Sequence, residues 1–252
     1  MSWLTPNSLQ TWTNSSPKVI LVCIHLYSCP SFMFSDFLEI VLLSLEVTGL
    51  ALIFSTILGV PAGALIGLNQ FRGRKLTALF LYTGMGFPPV VIGLFVYLLL
   101  TRNGGLGALS FSFIPQLFTP AAMILAQIII AFPIIAGFTM AAVMGVDRDL
   151  KQQLLSLGAT HRQATSIILS EARIGVIVAI IAGFGGIISE VGAVMLVGGN
   201  IEGSTRVLTT AIVLETRKGN FYFALSLGAV LIAITFLANL IMLRLQGRGF
   251  DE

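Results

Sequence analysis

The residues of this sequence that are best suited to chemistry lie between Ser189 and Thr210, in and directly after a long apolar run. Glu190 falls inside that run, where an ionised carboxylate without a partner costs at least about 2.5 kcal/mol. We therefore expect its side chain to face a cavity or a partner. Two interpretations remain open. Glu190 is either a structural carboxylate, bonded to backbone or to a neighbouring helix, or a group in contact with a solute.

Hydrogen-bond donors follow Asn200. Four hydroxyls and one guanidinium come from Ser204, Thr205, Arg206, Thr209 and Thr210. Such donors can replace the hydration shell of an oxyanion, and they do not trap a multiply charged ion as a cluster of cations would. A solvated outer loop followed by an amphipathic helix explains the same residues. The glycines of this stretch permit close helix approach or local unwinding, and they are Gly192, Gly198 and Gly199.

Composition places these residues in a membrane protein. The chain has 252 residues, of which 56% are hydrophobic and 10% charged, against about 25% charged in soluble domains. The apolar runs are continuous, which is typical of spanning helices and not of barrel strands. We predict an all-α polytopic fold with about five transmembrane helices, at 37–68, 75–101, 119–146, 174–198 and 221–243. Pro88 and Pro89 predict a kink or local break in the second.

Lysine and arginine near the span ends set the orientation. Nine positive residues flank one side, in the first and third gaps and the C-terminal tail: Arg72, Arg74, Lys75, Arg148, Lys151, Arg162, Arg173, Arg244 and Arg248. Five flank the other: Lys18, Arg102, Arg206, Arg217 and Lys218. This asymmetry predicts an N-terminus outside and a C-terminus in the cytoplasm. The net charge of +3 then reflects topology and does not indicate a nucleic-acid partner.

The first 36 residues differ from the rest. They form either an interfacial segment or an upstream extension before a start at Met33. Cys23 and Cys29 leave a disulfide open, but there is no CxxC and no histidine at ligand spacing, since His25 and His161 stand alone. We therefore expect no metal site and no cofactor.

A polar segment, 147–173, interrupts the apolar pattern. Leu150, Leu154 and Leu157 recur at helical spacing with Leu155 beside them, which predicts a short amphipathic helix. Gly158 ends it, and the sequence THRQ predicts a capping box that starts a second helix. The charge count puts this elbow in the cytoplasm. Its apolar stripe is covered by a protein partner, by the chain's own helices or by the lipid surface.

The sequence QQLLSLGATHRQATSIILSEAR resembles the EAA loop of ATP-binding-cassette (ABC) importer permeases. That resemblance implies that the first elbow helix docks on an ABC ATPase subunit through Leu154, Leu155, Ser156, Leu157, Gly158 and Ala159. The elbow departs from the consensus, because Gln152, Gln153 and Leu154 replace Glu-Ala-Ala. The chain has no GxxxxGK[ST] motif, so ATP hydrolysis would belong to a separate subunit.

The sequence SEVGAVMLVGGNIEGSTRVLTTAIVLET closely resembles tungstate importer permeases, as does MGFPPVVIGLFVYLLLTRNGGLG. The likeness covers most of the chain and implies a type I importer core at 37–248 that contains the coupling loop 147–173. It implies ATP-driven import of tungstate or a related oxyanion such as molybdate across a prokaryotic inner membrane. The implied partners are an ABC ATPase, an extracytoplasmic oxyanion-binding protein, membrane lipid and a second copy of the chain. The expected translocation pathway comprises Ser189, Glu190, Gly192, Gly198, Gly199, Asn200, Thr205, Arg206, Thr209 and Thr210.

Two alternative functions differ from this one. An ion-coupled secondary transporter would use Glu190 as its ion site, and inverted repeats would favour it, but the sequence shows none. An intramembrane enzyme would need a catalytic motif, and neither HExxH nor GxSxG occurs. We expect a transport subunit and not an enzyme.

Overall fold

The computed structural model describes residues 30–69, 71–101, 104 and 114–245. The chain divides into compact units at 1–39 and 40–252, and most of the N-terminal extension, with Cys23 and Cys29, lies outside the described residues. These contain helices and no strand. The helices are α1 (Pro30–Leu68), α2 (Arg74–Met85), α3 (Pro89–Leu100), α4 (Pro120–Gly145), α5 (Arg148–Ser156), α6 (His161–Glu171), α7 (Arg173–Ile188), α8 (Gly192–Gly198), α9 (Leu208–Arg217) and α10 (Phe221–Leu245).

Three of these helices are long and apolar enough to cross a membrane: α1 over Phe37–Leu68, α4, and α10 over Phe221–Arg244. Two bent pairs, α2 with α3 and α6 with α7, raise the number to five if each pair counts as one span. The all-α polytopic prediction is confirmed. The bend between α2 and α3 is 101°, which confirms the predicted break at Pro88 and Pro89. The physical reason is that proline cannot donate the hydrogen bond that would continue α2.

The fourth predicted span, 174–198, is interrupted in the structure. Helix α7 ends at Ile188, and the short helix α8 begins at Gly192. Glu190 therefore lies in the break between two helices and not within one continuous helix, which corrects the predicted continuity of this span. The Glu190 carboxylate accepts a hydrogen bond from the Ala193 amide (2.9 Å) and so satisfies one of the free donors in the first turn of α8.

Helices α1 and α4 pack closely along a row of glycines in α1. Gly59, Gly63 and Gly67 follow one another at four-residue intervals, so they share one face of the helix. A β-carbon on Gly63 would overlap the Ala136 carbonyl oxygen of α4. Small residues at this spacing are typical of membrane helices whose backbones touch.

The two half-helices α3 and α8 also pack against each other. A β-carbon on Gly93 of α3 would lie 2.5 Å from the Cα of Ala193 in α8. Both helices contribute to one buried cluster with α4 and α7, which includes Val96, Ala126, Ile187 and Val197. The broken spans are thus held by one apolar core.

The connection from α1 to α2 is short and capped by a side chain. The Arg74 guanidinium donates to the carbonyl oxygens of Ile66 and Gly67, each at 2.9 Å. These carbonyls belong to the last turn of α1, which has no amides of its own to satisfy them. Arg74 therefore fixes the angle at which the chain leaves the first span.

Candidate functional site

The elbow has the helix–glycine–helix form that the sequence predicts. The Asp147 side chain accepts the Asp149 amide at the start of α5. Gly158 takes a positive φ of 87°, which favours glycine, and reverses the chain. Helix α6 then begins with the predicted capping box: the Thr160 hydroxyl accepts the Gln163 amide (3.3 Å), and the Gln163 side chain accepts the Thr160 amide (2.8 Å).

The leucines of α5 do not form one continuous stripe. Leu150 packs inward against a buried cluster of Ala64, Val143, Ile168 and Ala172. Leu157, just beyond the helix, is 84% exposed. The sequence placed both in a single apolar face, and the structure corrects this, because the reversal at Gly158 ends the helix before Leu157.

The six expected docking residues divide by exposure at the tip of the elbow. Leu154, Leu155 and Ala159 are half-buried, whereas Ser156, Leu157 and Gly158 are exposed. The amides of Gly158 and Ala159 donate to the carbonyls of Leu155 and Leu154, each at 3.0 Å. The tip is therefore tied by its own backbone hydrogen bonds, and it presents an apolar side chain, Leu157, that the described residues leave exposed.

Glu190 is bonded on both sides of the helix break, since its amide donates to the Ile187 carbonyl of α7 (3.2 Å). Its carboxylate accepts the Ala193 amide, as described above, and its carbonyl oxygen accepts the Thr209 hydroxyl at 3.0 Å. The break between α7 and α8 is thereby tied to α9. Of the two interpretations left open by the sequence, these bonds favour a structural role for Glu190.

A small polar cavity of about 10 Å³ lies beside Glu190. This is barely the space needed to admit one water molecule, and it is too small for a tetrahedral oxyanion. The polar side chains of its wall come from four separate segments, and they are Ser44, Thr48, Gln127, Glu190 and Thr209. The cavity is therefore a junction of the fold and not a place where such an anion could rest.

Three of these residues were not expected from the sequence: Ser44, Thr48 and Gln127. The Ser44 hydroxyl accepts the Leu208 amide (2.7 Å) and donates to the Ile40 carbonyl (2.6 Å), so it joins α1 to α9. Gln127 is buried, and its Oε1 has no hydrogen-bond partner in the described part of the chain. The available signal was polar residues inside apolar runs, which in membrane helices usually face the interior.

The glycines expected in the pathway allow close contact or an unusual backbone. A β-carbon on Gly192 would lie 2.5 Å from the Val90 side chain, and one on Gly198 would lie 2.7 Å from the Met123 sulfur. Gly199 ends α8 with a φ of 75°, and Asn200 follows at 53°. The segment thus turns sharply after α8 and returns toward α9.

The hydroxyls after Asn200 bond mainly to backbone. Thr205 donates to the Gly198 carbonyl (2.6 Å) and accepts the Ile201 amide (2.9 Å). Thr210 bonds both the amide and the carbonyl of Val207, and Ser189 donates to Gly185 (2.8 Å). Thr205 and Thr210 therefore shape the loop between α8 and α9, whereas Ser189, which precedes both, bonds to the last turn of α7.

Arg206 is an expected pathway residue with an unused, buried donor in the described structure. Its side chain is 17% exposed, and one terminal nitrogen, Nη2, lies 3.3 Å from the Glu202 carboxylate. Its Nε is buried and has no acceptor among the described residues. A guanidinium presents donors in a planar fork suited to two oxygens of one anion. Arg206 therefore has capacity for an oxyanion that its present partner does not use.

The structural role of Glu190 predicts an asymmetry between two substitutions. Glu190→Gln keeps an acceptor oxygen for the Ala193 amide, so we expect it to cost less than about 1 kcal/mol of stability. Glu190→Leu leaves that amide unpaired, which costs about 1–3 kcal/mol. Thermal unfolding of the purified proteins measures both. Equal destabilisation by Gln and Leu would mean that the site requires the charge and not merely the acceptor.

Known proteins resemble this chain in sequence and in fold. The family described as "Binding-protein-dependent transport system inner membrane component" matches residues 59–248. The chain is 40% identical to a probable anion ABC transporter permease protein of Haloferax volcanii. The aligned region of 215 residues covers 83% of this chain and 90% of the relative. It is 36% identical over 207 residues to the tungstate uptake system permease protein TupB of Peptoclostridium acidaminophilum, covering 82% and 89%.

The fold is similar to that of the MetNI methionine ABC transporter in an inward-facing form, with a TM-score of 0.68 at 16% identity over 86% of this chain and 98% of that one. This likeness supports the architecture alone. The family match gives no support to the secondary transporter or the intramembrane enzyme. The chain therefore belongs to the family of binding-protein-dependent transport system inner membrane components, as a multi-pass permease subunit that moves a solute and is not an enzyme.

Proposed function

We propose that this permease imports tungstate or a related tetrahedral oxyanion such as molybdate, driven by ATP. The observation that carries the proposal is Arg206, a half-buried guanidinium whose Nε is unused in the described structure. The relatives named for an anion and for tungstate support the same solute class. A single cationic donor suits transport, because a pathway must release what it binds.

The proposed translocation pathway runs along the interrupted fourth span and the loop after it. Its residues are those expected from the sequence: Ser189, Glu190, Gly192, Gly198, Gly199, Asn200, Thr205, Arg206, Thr209 and Thr210. The hydrogen bonds indicate two different roles among these residues. The hydroxyls and Glu190 hold the irregular backbone, and Arg206 supplies the charge that meets the anion.

The energy source in this proposal is a separate ABC ATPase that docks on the elbow. The exposed side chain of Leu157 enters an apolar groove of that subunit, flanked by Leu154, Leu155, Ser156, Gly158 and Ala159. The capped, hydrogen-bonded elbow is stiff enough to transmit movement from the ATPase to α7, which directly follows α6. ATP binding and hydrolysis then shift the permease between inward- and outward-open states.

The remaining proposed partners are an external oxyanion-binding protein, a second copy of this chain and membrane lipid. Helix α10 carries large exposed apolar side chains, including Leu225, Ile232 and Phe236. In a membrane such a face contacts lipid or another helix. The transmembrane domain at 37–248 would provide both the surface that contacts lipid and the surface that contacts the second copy.

Uptake by the reconstituted complex tests this function. Proteoliposomes that contain permease and ATPase, supplied with the binding protein, should accumulate tungstate only when ATP is present. Molybdate and sulfate, supplied under the same conditions, define the solute range. Accumulation driven by an ion gradient without nucleotide would overturn the ATP-driven proposal, and failure to accumulate any oxyanion would overturn the solute assignment.

The proposed orientation, with the N-terminus outside and the C-terminus in the cytoplasm, predicts a labelling pattern. In a chain whose Cys23 and Cys29 are replaced by serine, Gln152→Cys should react with a membrane-impermeant maleimide only from the cytoplasmic side. Ser204→Cys should react only from outside. Both positions are exposed in the structure. Labelling of position 204 from the cytoplasm would reverse the orientation.

A further inference from the structure

We propose that Glu202 is a displaceable counter-ion, which occupies Arg206 until the transported oxyanion replaces it. The inference rests on the proposed function and assigns a role to a residue outside the expected pathway. The exchange involves no covalent step: one carboxylate leaves the guanidinium and one oxyanion takes its place.

The contact between Glu202 and Arg206 is incomplete. One carboxylate oxygen lies 3.3 Å from Nη2, which is longer than the 2.7–2.9 Å that is typical of a charge-assisted hydrogen bond. The Nε of the same guanidinium is buried and finds no acceptor in the parts of the chain that are described. A tetrahedral oxyanion can present two oxygens to one guanidinium, so it can satisfy both nitrogens where Glu202 satisfies one.

The two partners are held very differently. The Arg206 amide donates to the Ile201 carbonyl (3.0 Å), and the neighbouring Thr205 hydroxyl fixes the loop to Gly198. The Arg206 side chain is mostly buried, whereas the Glu202 side chain is 73% exposed. An exposed carboxylate in a single ion pair gains little from the pair and can turn into solvent at little cost. Arg206 therefore stays in place while its counter-ion is replaced.

This arrangement explains how a half-buried cation can serve a pathway without retaining its solute. Without Glu202, Arg206 would present an uncompensated charge to a dianion and hold it tightly. With Glu202 present, the arriving anion must compete with this carboxylate for Arg206. The returning carboxylate then helps to displace the anion. Glu202 would thus lower affinity and raise turnover together.

Removing the competitor tests the inference directly. In the nucleotide-free permease–ATPase complex in lipid nanodiscs, equilibrium dialysis measures tungstate binding without the external receptor. We expect Glu202→Gln to lower the half-saturating tungstate concentration by about two- to fivefold, the size of an exposed ion pair. We expect Arg206→Gln to raise it by about tenfold or more, because a charge-assisted contact is lost. Uptake by Glu202→Gln should be slower than by wild type at saturating receptor.

The chain provides a control for the loss of one negative charge. Glu215 pairs with Lys218 at 2.8 Å and its side chain is 12% exposed, against 73% for Glu202, and Glu215→Gln removes the same charge from a nearby position in the sequence. We expect this variant to bind tungstate as wild type does. Unchanged affinity in Glu202→Gln, or an equal change in Glu215→Gln, would overturn the counter-ion role while wild-type uptake still supports the proposed function. Absence of oxyanion uptake by wild type would instead mark failure of the proposed function.

Discussion

Replacing Gly63 by leucine should prevent recovery of a folded permease. A β-carbon at this position would overlap the Ala136 carbonyl oxygen and would lie 2.9 Å from the Thr139 β-carbon. Backbone atoms cannot move aside as the end of a flexible side chain can. Because even one methyl group does not fit, we expect a leucine to separate α1 from α4 and to cost at least about 3 kcal/mol.

Gly49 provides the control in the same helix. A β-carbon there meets nothing within 4 Å in the described structure, so Gly49→Leu should leave the protein intact. Size-exclusion chromatography of fluorescent fusions in detergent, before and after heating, measures both variants. A monodisperse Gly63→Leu protein with the melting temperature of wild type would refute the close packing of α1 on α4.

Replacing Leu157 by aspartate should uncouple the permease from its ATPase without unfolding it. The side chain is 84% exposed, so the permease's own stability should change little. In the proposed complex the same side chain enters an apolar groove, where an unpaired carboxylate is strongly disfavoured. We expect copurification of the ATPase to be lost and ATP-driven uptake to fall by at least about tenfold.

Leu150→Asp separates docking from folding. Leu150 packs against the chain's own buried cluster, so a charge there should destabilise the permease itself, in contrast to Leu157→Asp. Pull-down of the ATPase, paired with thermal unfolding of the permease, distinguishes the two defects. If Leu157→Asp retains the ATPase at wild-type level, the elbow contacts lipid or nothing, and the coupling proposal fails.

Local chemistry made the elbow predictable from the sequence. The capping box at Thr160 and Gln163 and the glycine reversal at 158 depend on residues a few positions apart, so their pattern is visible without a fold. The break before Pro89 was predictable for the same reason, because proline removes a backbone donor wherever it stands. Leu157 was misplaced because helical spacing assumes that the helix continues beyond the residue where it ends.

Tertiary contacts decide what the sequence could not predict. A hydropathy pattern does not show the interruption at Glu190, because most of the surrounding residues are apolar, and the Thr209 hydroxyl that bonds the Glu190 carbonyl lies 19 positions away. The polar junction joins Ser44 to Leu208 and Gln127 to Ile187, across 164 and 60 positions. The Glu202–Arg206 pair is local in sequence, but its proposed role depends on how deeply each side chain is buried. Burial is a property of the folded chain.

The pairing of α3 with α8 has a consequence for how the protein enters the membrane. At 12 and 7 residues, these helices are about 18 and 10 Å long, too short for a hydrocarbon core of about 30 Å. Neither can be threaded as an independent span during synthesis. Gly93 can contact Ala193 only after about one hundred further residues have been synthesised. We therefore expect α3 to reach its final position late in synthesis. Nascent chains stalled before α8 should therefore leave residues 89–100 accessible to water-soluble reagents.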